Sequence, residues 1–161
     1  MDWTEVTAKE AQTHNPAPMG RYCHPACVVC GERNQSGLGL CFQQEPNGSV
    51  VGRFGCDAGF QGYPDQLHGG VVSMLLDAAM TNCLFARRIR AVTAKLTVRF
   101  RHPVRVGVEA TIRARLVDEC PPLYVLKAEL LQGDKTCALA DAKFYRDETA
   151  DWPDTTDADV S

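Results

Sequence analysis

The feature that most limits how this chain can fold is an apolar segment that runs from Gly69 to about Ala86. Its apolar side chains are Val71, Val72, Met74, Leu75, Leu76, Ala78, Ala79, Met80, Leu84 and Phe85. They recur at helical spacing and cover nearly the whole circumference, which predicts a buried helix and not an amphipathic surface helix. Three arginines follow at the predicted C-terminal end, where positive charge is favourable to the helix dipole.

Strand-like segments lie on both sides of this helix. Before it, Leu38, Leu40 and Phe42 alternate with small or polar residues, and 49–56 predicts the return strand of a hairpin. After it, strand character extends over 91–100, 109–119, 123–132 and 135–145, and we expect these four to form an antiparallel meander. In the first of them, simple alternation places Val92, Ala94, Leu96, Val98 and Phe100 on one face and Thr93, Lys95, Thr97 and Arg99 on the other.

A flat sheet touches one face of a helix only, so a helix that is apolar on all sides requires a sheet that curls around it. The pattern therefore predicts an α+β protein with the hot-dog fold, in which a curved antiparallel sheet wraps around one long central helix.

Length and composition indicate a single soluble domain. The chain has 161 residues, of which 45% are hydrophobic and 23% charged, with a net charge of −3. The acidic balance argues against nucleic-acid binding, and no apolar stretch reaches the ~18 residues of a membrane span. No signal peptide is recognised, which favours the cytoplasm. We expect a polar segment at 1–22, the domain at 23–145 with a cysteine-rich leader at 23–37, and an acidic, disordered tail at 146–161.

Eight cysteines suggest a disulfide set at first, but a domain of this size without a secretory signal favours reduced thiols. Cys23, His24, Cys27 and Cys30 carry the donor atoms that zinc prefers. However, adjacent Cys23 and His24 are difficult to direct at one ion, and no second Cys-x-x-Cys follows. We expect a packed loop with buried thiols and predict no metal and no cofactor; a zinc-stabilised module remains an alternative.

Asp77 is a candidate catalytic residue because it lies in the middle of the apolar helix. A lone buried carboxylate is unfavourable unless it is paired, hydrogen-bonded or used in chemistry. The alternative is an aspartate that faces a solvent gap or a polar group of a second copy.

The sequence His68-Gly69-Gly70 precedes the helix. Free backbone N–H groups at a helix N-terminus suit a developing oxyanion, and two glycines leave room for a substrate carbonyl. The alternative is a turn with His68 near the cap.

Gly69 and Asp77 stand about 12 Å apart along one helix, so they cannot reach the same carbonyl from one chain. If two copies pack their helices antiparallel, Gly69 of one copy approaches Asp77 of the other, which predicts a site at a dimer interface.

These residues carry a resemblance. The pattern His68-Gly69-Gly70-x6-Asp77, followed by Ala91-Val92-Thr93-Ala94-x-Leu96-x-Val98-x-Phe100 and Pro103-Val104-x2-Gly107, resembles the hot-dog acyl-CoA thioesterases of the phenylacetic-acid-degradation (PaaI) type. The resemblance covers about residues 22–145. The leader Cys27-Val28-Val29-Cys30-Gly31 and the loop Phe60-Gln61-Gly62-Tyr63-Pro64 are similar to one subgroup of these enzymes.

The resemblance implies hydrolysis of an acyl- or aryl-CoA by a homodimer or a dimer of dimers. It implies that the Gly69 N–H binds the thioester oxygen, that Asp77 attacks the carbonyl or activates water, and that Thr93 positions water or the acid. Better-known members have Asn or Gln six residues before the histidine, where this chain has Gly62; Gln61 is the candidate replacement. His68 and Gly70 complete the motif, and Arg99 and Arg101 are candidates for the CoA phosphates or ordinary solvated charges.

Two other functions remain open: a non-catalytic acyl-CoA-binding hot-dog protein, and a hot-dog dehydratase or hydratase. A serine hydrolase is disfavoured because Ser73 lacks a Gly-x-Ser-x-Gly elbow.

Overall fold

The structure is a computed structural model that describes residues 23–149. The polar segment predicted at 1–22 and the part of the acidic tail at 150–161 lie outside the described residues. The described helix and strands are β1 (Phe42–Gln44), β2 (Val50–Phe54), α1 (Gly69–Phe85), β3 (Ala91–Phe100), β4 (Ala110–Cys120), β5 (Leu123–Gln132) and β6 (Lys135–Arg146), with a 3-10 turn at Ala58–Phe60. None of the helices within 23–149 has the length and apolar character to cross a lipid bilayer.

The strands form one six-stranded antiparallel sheet in the order β1-β2-β4-β5-β6-β3. The expected four-stranded meander is wrong for β3, which pairs with β6 and not with β4. The segment 101–109 between β3 and β4 is too long for a tight hairpin, and its length lets the chain cross from one edge of the sheet to another strand. β3 therefore becomes an edge strand.

α1 packs against the concave face of this sheet, and its bounds agree with the sequence prediction. Leu75, Leu76, Ala79, Met80 and Cys83 are fully buried, and they meet side chains from every strand behind them. The curved sheet and its central helix define the hot-dog fold, as predicted.

The helix is not buried on all sides. Val71, Met74, Asp77 and Thr81 form a half-exposed stripe at helical spacing. The expectation that Asp77 is buried is therefore wrong for the single chain. The stripe lies open because the sheet ends at its β3 edge and does not close around the helix.

A β-bulge in β3 changes which side chains face the helix. Thr93 pairs with Phe144 and Leu96 pairs with Ala142, whereas Ala94 falls between the two registers. Phe144 and Ala142 both point into the core, so Thr93 and Leu96 share the helix-facing side. The predicted strict alternation, which placed them on opposite faces, is wrong because one extra residue shifts the period of two.

The cysteine-rich leader is attached to the rest of the molecule before β1 begins. The N–H groups of Leu38 and Leu40 donate to the carbonyl oxygens of Val28 and Val29 at 2.7 and 2.8 Å. β1 itself starts at Phe42, later than the alternation predicted, because these preceding residues pair with the leader and not with β2. All eight cysteines are free thiols.

Candidate active site

The turn into α1 leaves the backbone N–H of Gly69 unused. His68 is the N-cap residue, and its Nδ1 accepts a hydrogen bond from the Gly70 N–H at 2.9 Å. His68 O accepts from the Val72 N–H at 3.1 Å. Within residues 23–149 the Gly69 N–H has no hydrogen-bond partner. The N-terminus of the helix therefore offers a free donor at its positive end.

A cavity of about 680 Å³ opens beside this turn. Its lining includes Gly62, Gln66, His68, Gly69, Phe100 and Arg101. Gly69 is half-buried, and the ring of Phe100 lies beside it in the cavity lining. A substrate carbonyl placed here meets the free Gly69 amide without obstruction from a side chain at position 69.

Asp77 and Thr93 form a second polar group further along the helix. Thr93 Oγ1 donates to Asp77 Oδ1 at 2.7 Å. Neither residue lines the cavity. The structure thus brings Asp77 together with Thr93 and keeps both apart from the Gly69 amide of the same chain.

Gly62 lies close to the residue that caps the helix. A Cβ atom on Gly62 would lie 3.1 Å from Cδ2 and 3.3 Å from Cα of His68. A side chain here would require His68 to shift by a few tenths of an ångström. Gln61 does not line the cavity; its Oε1 accepts the Asp65 N–H at 3.4 Å.

The two arginines lie in different surroundings. Arg101 follows the end of β3 and lines the cavity, whereas Arg99 lies within β3 and pairs with Leu139 in the register that faces away from the helix. Gln66 and His102 also line the cavity, and the sequence analysis did not select them. The loop that carries Gln66 lies next to the segment that carries His102 because an isolated bridge joins Gln66 to Arg105, and no local sequence pattern encodes this pairing.

His24 of the leader lies among charged side chains and beside the end of α1. Burial lowers the pKa of His24, the positive charge of Arg90 lowers it further, and the negative charge of Asp77 raises it. His24 also stacks edge-on against Phe85 of α1, with ring centroids 4.7 Å apart. His24 of the leader therefore packs against the last turn of α1.

Comparisons with known proteins agree with this geometry. Residues 66–119, from the turn before α1 through most of β4, match the family model of the thioesterase superfamily. No curated protein sequence matches the chain.

Three solved structures illustrate the likeness. A thioesterase superfamily protein superimposes with a TM-score of 0.71 at 22% identity, over 74% of this chain and 60% of that protein, so the chain spans less than two thirds of its length. The E. coli PaaI protein from the phenylacetic acid degradation operon gives 0.63 at 25%, over 68% of this chain and 80% of that one. A Streptococcus mutans protein bound to acetyl CoA gives 0.63 at 16%, over 67% and 88%.

The fold is the hot-dog fold, and residues 66–119 match the model of the thioesterase superfamily. Both findings agree with the resemblance to the PaaI type seen in the sequence.

Proposed function

We propose that this protein hydrolyses an acyl- or aryl-CoA thioester to a carboxylate and free CoA, at a site that two copies of the chain share. The observation that carries this proposal is the separation of two complementary groups on one helix. The free Gly69 amide opens into the cavity, whereas Asp77 lies outside it and holds a hydrogen bond to Thr93. Antiparallel packing of two helices about a two-fold axis brings the amide of one copy to the carboxylate of the other.

The Gly69 N–H supplies oxyanion stabilisation in this proposal. As the thioester carbonyl becomes tetrahedral, negative charge develops on its oxygen, and the free amide and the helix dipole both favour that charge. Since the donor is fixed before the reaction, it needs no reorganisation. Such a donor contributes on the order of 10²-fold or more to the rate.

Asp77 supplies the second half of the chemistry. Its carboxylate either takes a proton from a water molecule that attacks the carbonyl carbon, or attacks that carbon itself to give an anhydride that water then opens. In both routes the carbon–sulfur bond breaks, the CoA thiolate leaves and is protonated, and the acyl group departs as a carboxylate. Thr93 fixes the orientation of the carboxyl group.

Two exposed features favour the dimer. β3 is an edge strand with unpaired backbone groups on one side, a surface that readily pairs with another chain. Beside it lies the half-exposed stripe that includes Val71 and Met74, and Phe100 of β3 is 57% exposed. Pairing of β3 with its copy would cover these apolar groups, in a homodimer or in a dimer of dimers.

The substrate class follows from the cavity and its charge. Arg101 and His102 at the cavity suit the phosphates of CoA, and the apolar walls suit an acyl or aryl chain. The likeness to a protein bound to acetyl CoA supports the same ligand class. Free thiols throughout the chain fit a cytoplasmic location.

The test is turnover of a panel of short, medium, long and aromatic acyl-CoAs. Hydrolysis is monitored by the absorbance of the thioester or by chromatography of free CoA. Thiol reagents are avoided because exposed Cys41 and Cys120 would react with them. We expect Asp77→Asn to abolish turnover while the dimer and CoA binding remain. Asp141→Asn, which removes an exposed carboxylate paired with Lys127, is the matched control. If wild type binds acyl-CoA and hydrolyses none of the panel, the binding-protein alternative replaces this proposal.

A further inference from the structure

The cysteine-rich leader brings three metal-ligating side chains together. The ligand atoms of His24, Cys27 and Cys30 all lie within 4.8 Å of one another. In a tetrahedral zinc site the ligand atoms stand about 3.5–3.8 Å apart, given the usual Zn–S and Zn–N bond lengths. Only a small inward rotation of these side chains separates the observed cluster from that geometry.

In the sequence, the adjacency of Cys23 and His24 argued against a metal site. The structure removes this objection, since only His24 of the pair belongs to the cluster. The remaining two ligands come from a Cys-x-x-Cys turn, a spacing typical of zinc sites. Two thiolates and one imidazole form a donor set that favours Zn²⁺ over Mg²⁺ or Ca²⁺.

Backbone hydrogen bonds fix the turn that carries these ligands. The Cys27 N–H donates to His24 O at 3.1 Å, and the Gly31 N–H donates to Cys27 O at 3.0 Å. A Cβ atom at position 31 would lie 2.3 Å from Cys27 N and 2.7 Å from Pro25 O. Glycine is therefore required for the chain to fold back closely enough to hold both cysteines in one place.

Two N–H groups point at the sulfur atoms. The Val29 N–H donates to Cys27 Sγ at 3.4 Å, and Asn82 Nδ2 of α1 donates to Cys30 Sγ at 3.6 Å. Asn82 is 6% exposed and is held in place by a 2.8 Å bond to Ala78 O. Donors to sulfur stabilise the negative thiolate and orient it, which is the role of the outer groups around bound metal ions.

We propose that His24, Cys27 and Cys30 bind one Zn²⁺ ion, with the fourth position open to water, and that the ion fastens the leader onto α1. The cluster is half-buried, so a water molecule can reach the fourth position. The ion would join the leader to the helix that carries Asp77, through Asn82 and through the His24 ring packed on Phe85. This inference does not depend on the proposed hydrolysis.

The experiment uses the full chain. Purified protein is analysed for zinc by elemental analysis, stripped with a chelator and titrated with Co²⁺, whose bands from thiolate coordination report sulfur ligands directly. We expect about one ion per chain and thiolate-to-cobalt charge transfer. Cys27→Ser, Cys30→Ser and His24→Ala should each lose stoichiometric binding, whereas Cys23→Ser and exposed Cys41→Ser should keep it.

A second measurement guards against variants that fail to fold. Chelation should lower the Tm of wild type and of Cys41→Ser, and zinc should restore it, because an ion bound only to the folded chain stabilises it. The proposal is overturned if wild type with all its cysteines reduced binds neither Zn²⁺ nor Co²⁺. It is also overturned if Cys23→Ser or Cys41→Ser weakens binding as much as Cys27→Ser.

Discussion

Thr93 Oγ1 lies 2.7 Å from Asp77 Oδ1, which ties the middle of α1 to the first residues of β3. The contact exists because the bulge between Thr93 and Lys95 turns the threonine toward the helix. Within residues 23–149 the second carboxylate oxygen, Oδ2, accepts no hydrogen bond. The contact fixes one carboxylate oxygen of Asp77, and in the proposed mechanism the other oxygen is left for the carbonyl carbon or for water.

Thr93→Val keeps the shape of the side chain and removes the donor. We expect kcat to fall about tenfold, since a hydrogen bond to a charged group contributes about 1.5–3 kcal/mol. Thr93→Ser should recover most of the activity. Thr97→Val is the matched control, because Thr97 lies on the same strand opposite Asp141 and faces away from the helix. Equal losses in the two valine variants, measured by steady-state kinetics, would count against an orienting role.

Gly69 allows the amide donor to be removed with little effect on the helix. It is the first helical residue, a position that favours proline, and His68 before it has φ −61° and ψ 134°, which suit a residue before proline. Gly69→Ala keeps the N–H, and its Cβ would contact Phe100 at an ordinary 3.4 Å. We expect kcat/KM of Gly69→Pro to lie about 100-fold below that of Gly69→Ala. Similar values for the two variants would exclude this amide as the oxyanion donor.

The sequence predicted the parts of the fold that local patterns encode. The helix was expected over 69–86 and is found at Gly69–Phe85, and β5 was expected and found at Leu123–Gln132. Continuous apolar periodicity and Pro-Pro and Gly-Asp turns define these bounds within a few residues. The Gly69 turn and Asp77 could be selected for the same reason, since both stand out against their immediate neighbours.

Features that depend on distant parts of the chain could not be predicted in this way. The bulge at Ala94 is determined by pairing with β6, about fifty residues later, and it reverses the side on which Thr93 lies. Gln66 and His102 reach the cavity through contacts between separate loops. The proximity of His24 to Cys27 and Cys30 depends on backbone bonds that a spacing argument does not reveal.

Glu129 provides a test of stability against pH. It is 8% exposed, its Oε1 has no hydrogen-bond partner among residues 23–149, and burial raises its pKa, although Arg113 and Arg115 act in the opposite direction. A raised pKa in the folded state means that ionisation of this group destabilises the fold, so its contribution to stability is fully present below about pH 4 and is lost as the pH rises through the folded pKa. Glu129→Gln should therefore have a higher Tm than wild type at about pH 7, with little difference near pH 4. Glu109→Gln, exposed and paired with Arg53, is the control; a gap that does not grow with pH would contradict the assignment.

A mixed dimer tests whether the site is shared between two chains. Asp77→Asn keeps the Gly69 amide, and Gly69→Pro keeps the Asp77 carboxylate, so neither variant alone has a complete site. When the two are unfolded together and refolded, half of the dimers combine one chain of each kind, and each such dimer has one intact site if the groups meet across the interface. We therefore expect recovery of roughly a quarter of the wild-type activity, measured on the mixture after exchange. Mixing the folded variants without exchange is the control. If both groups acted within one chain, exchange would restore nothing, because every chain would still lack either the amide or the carboxylate.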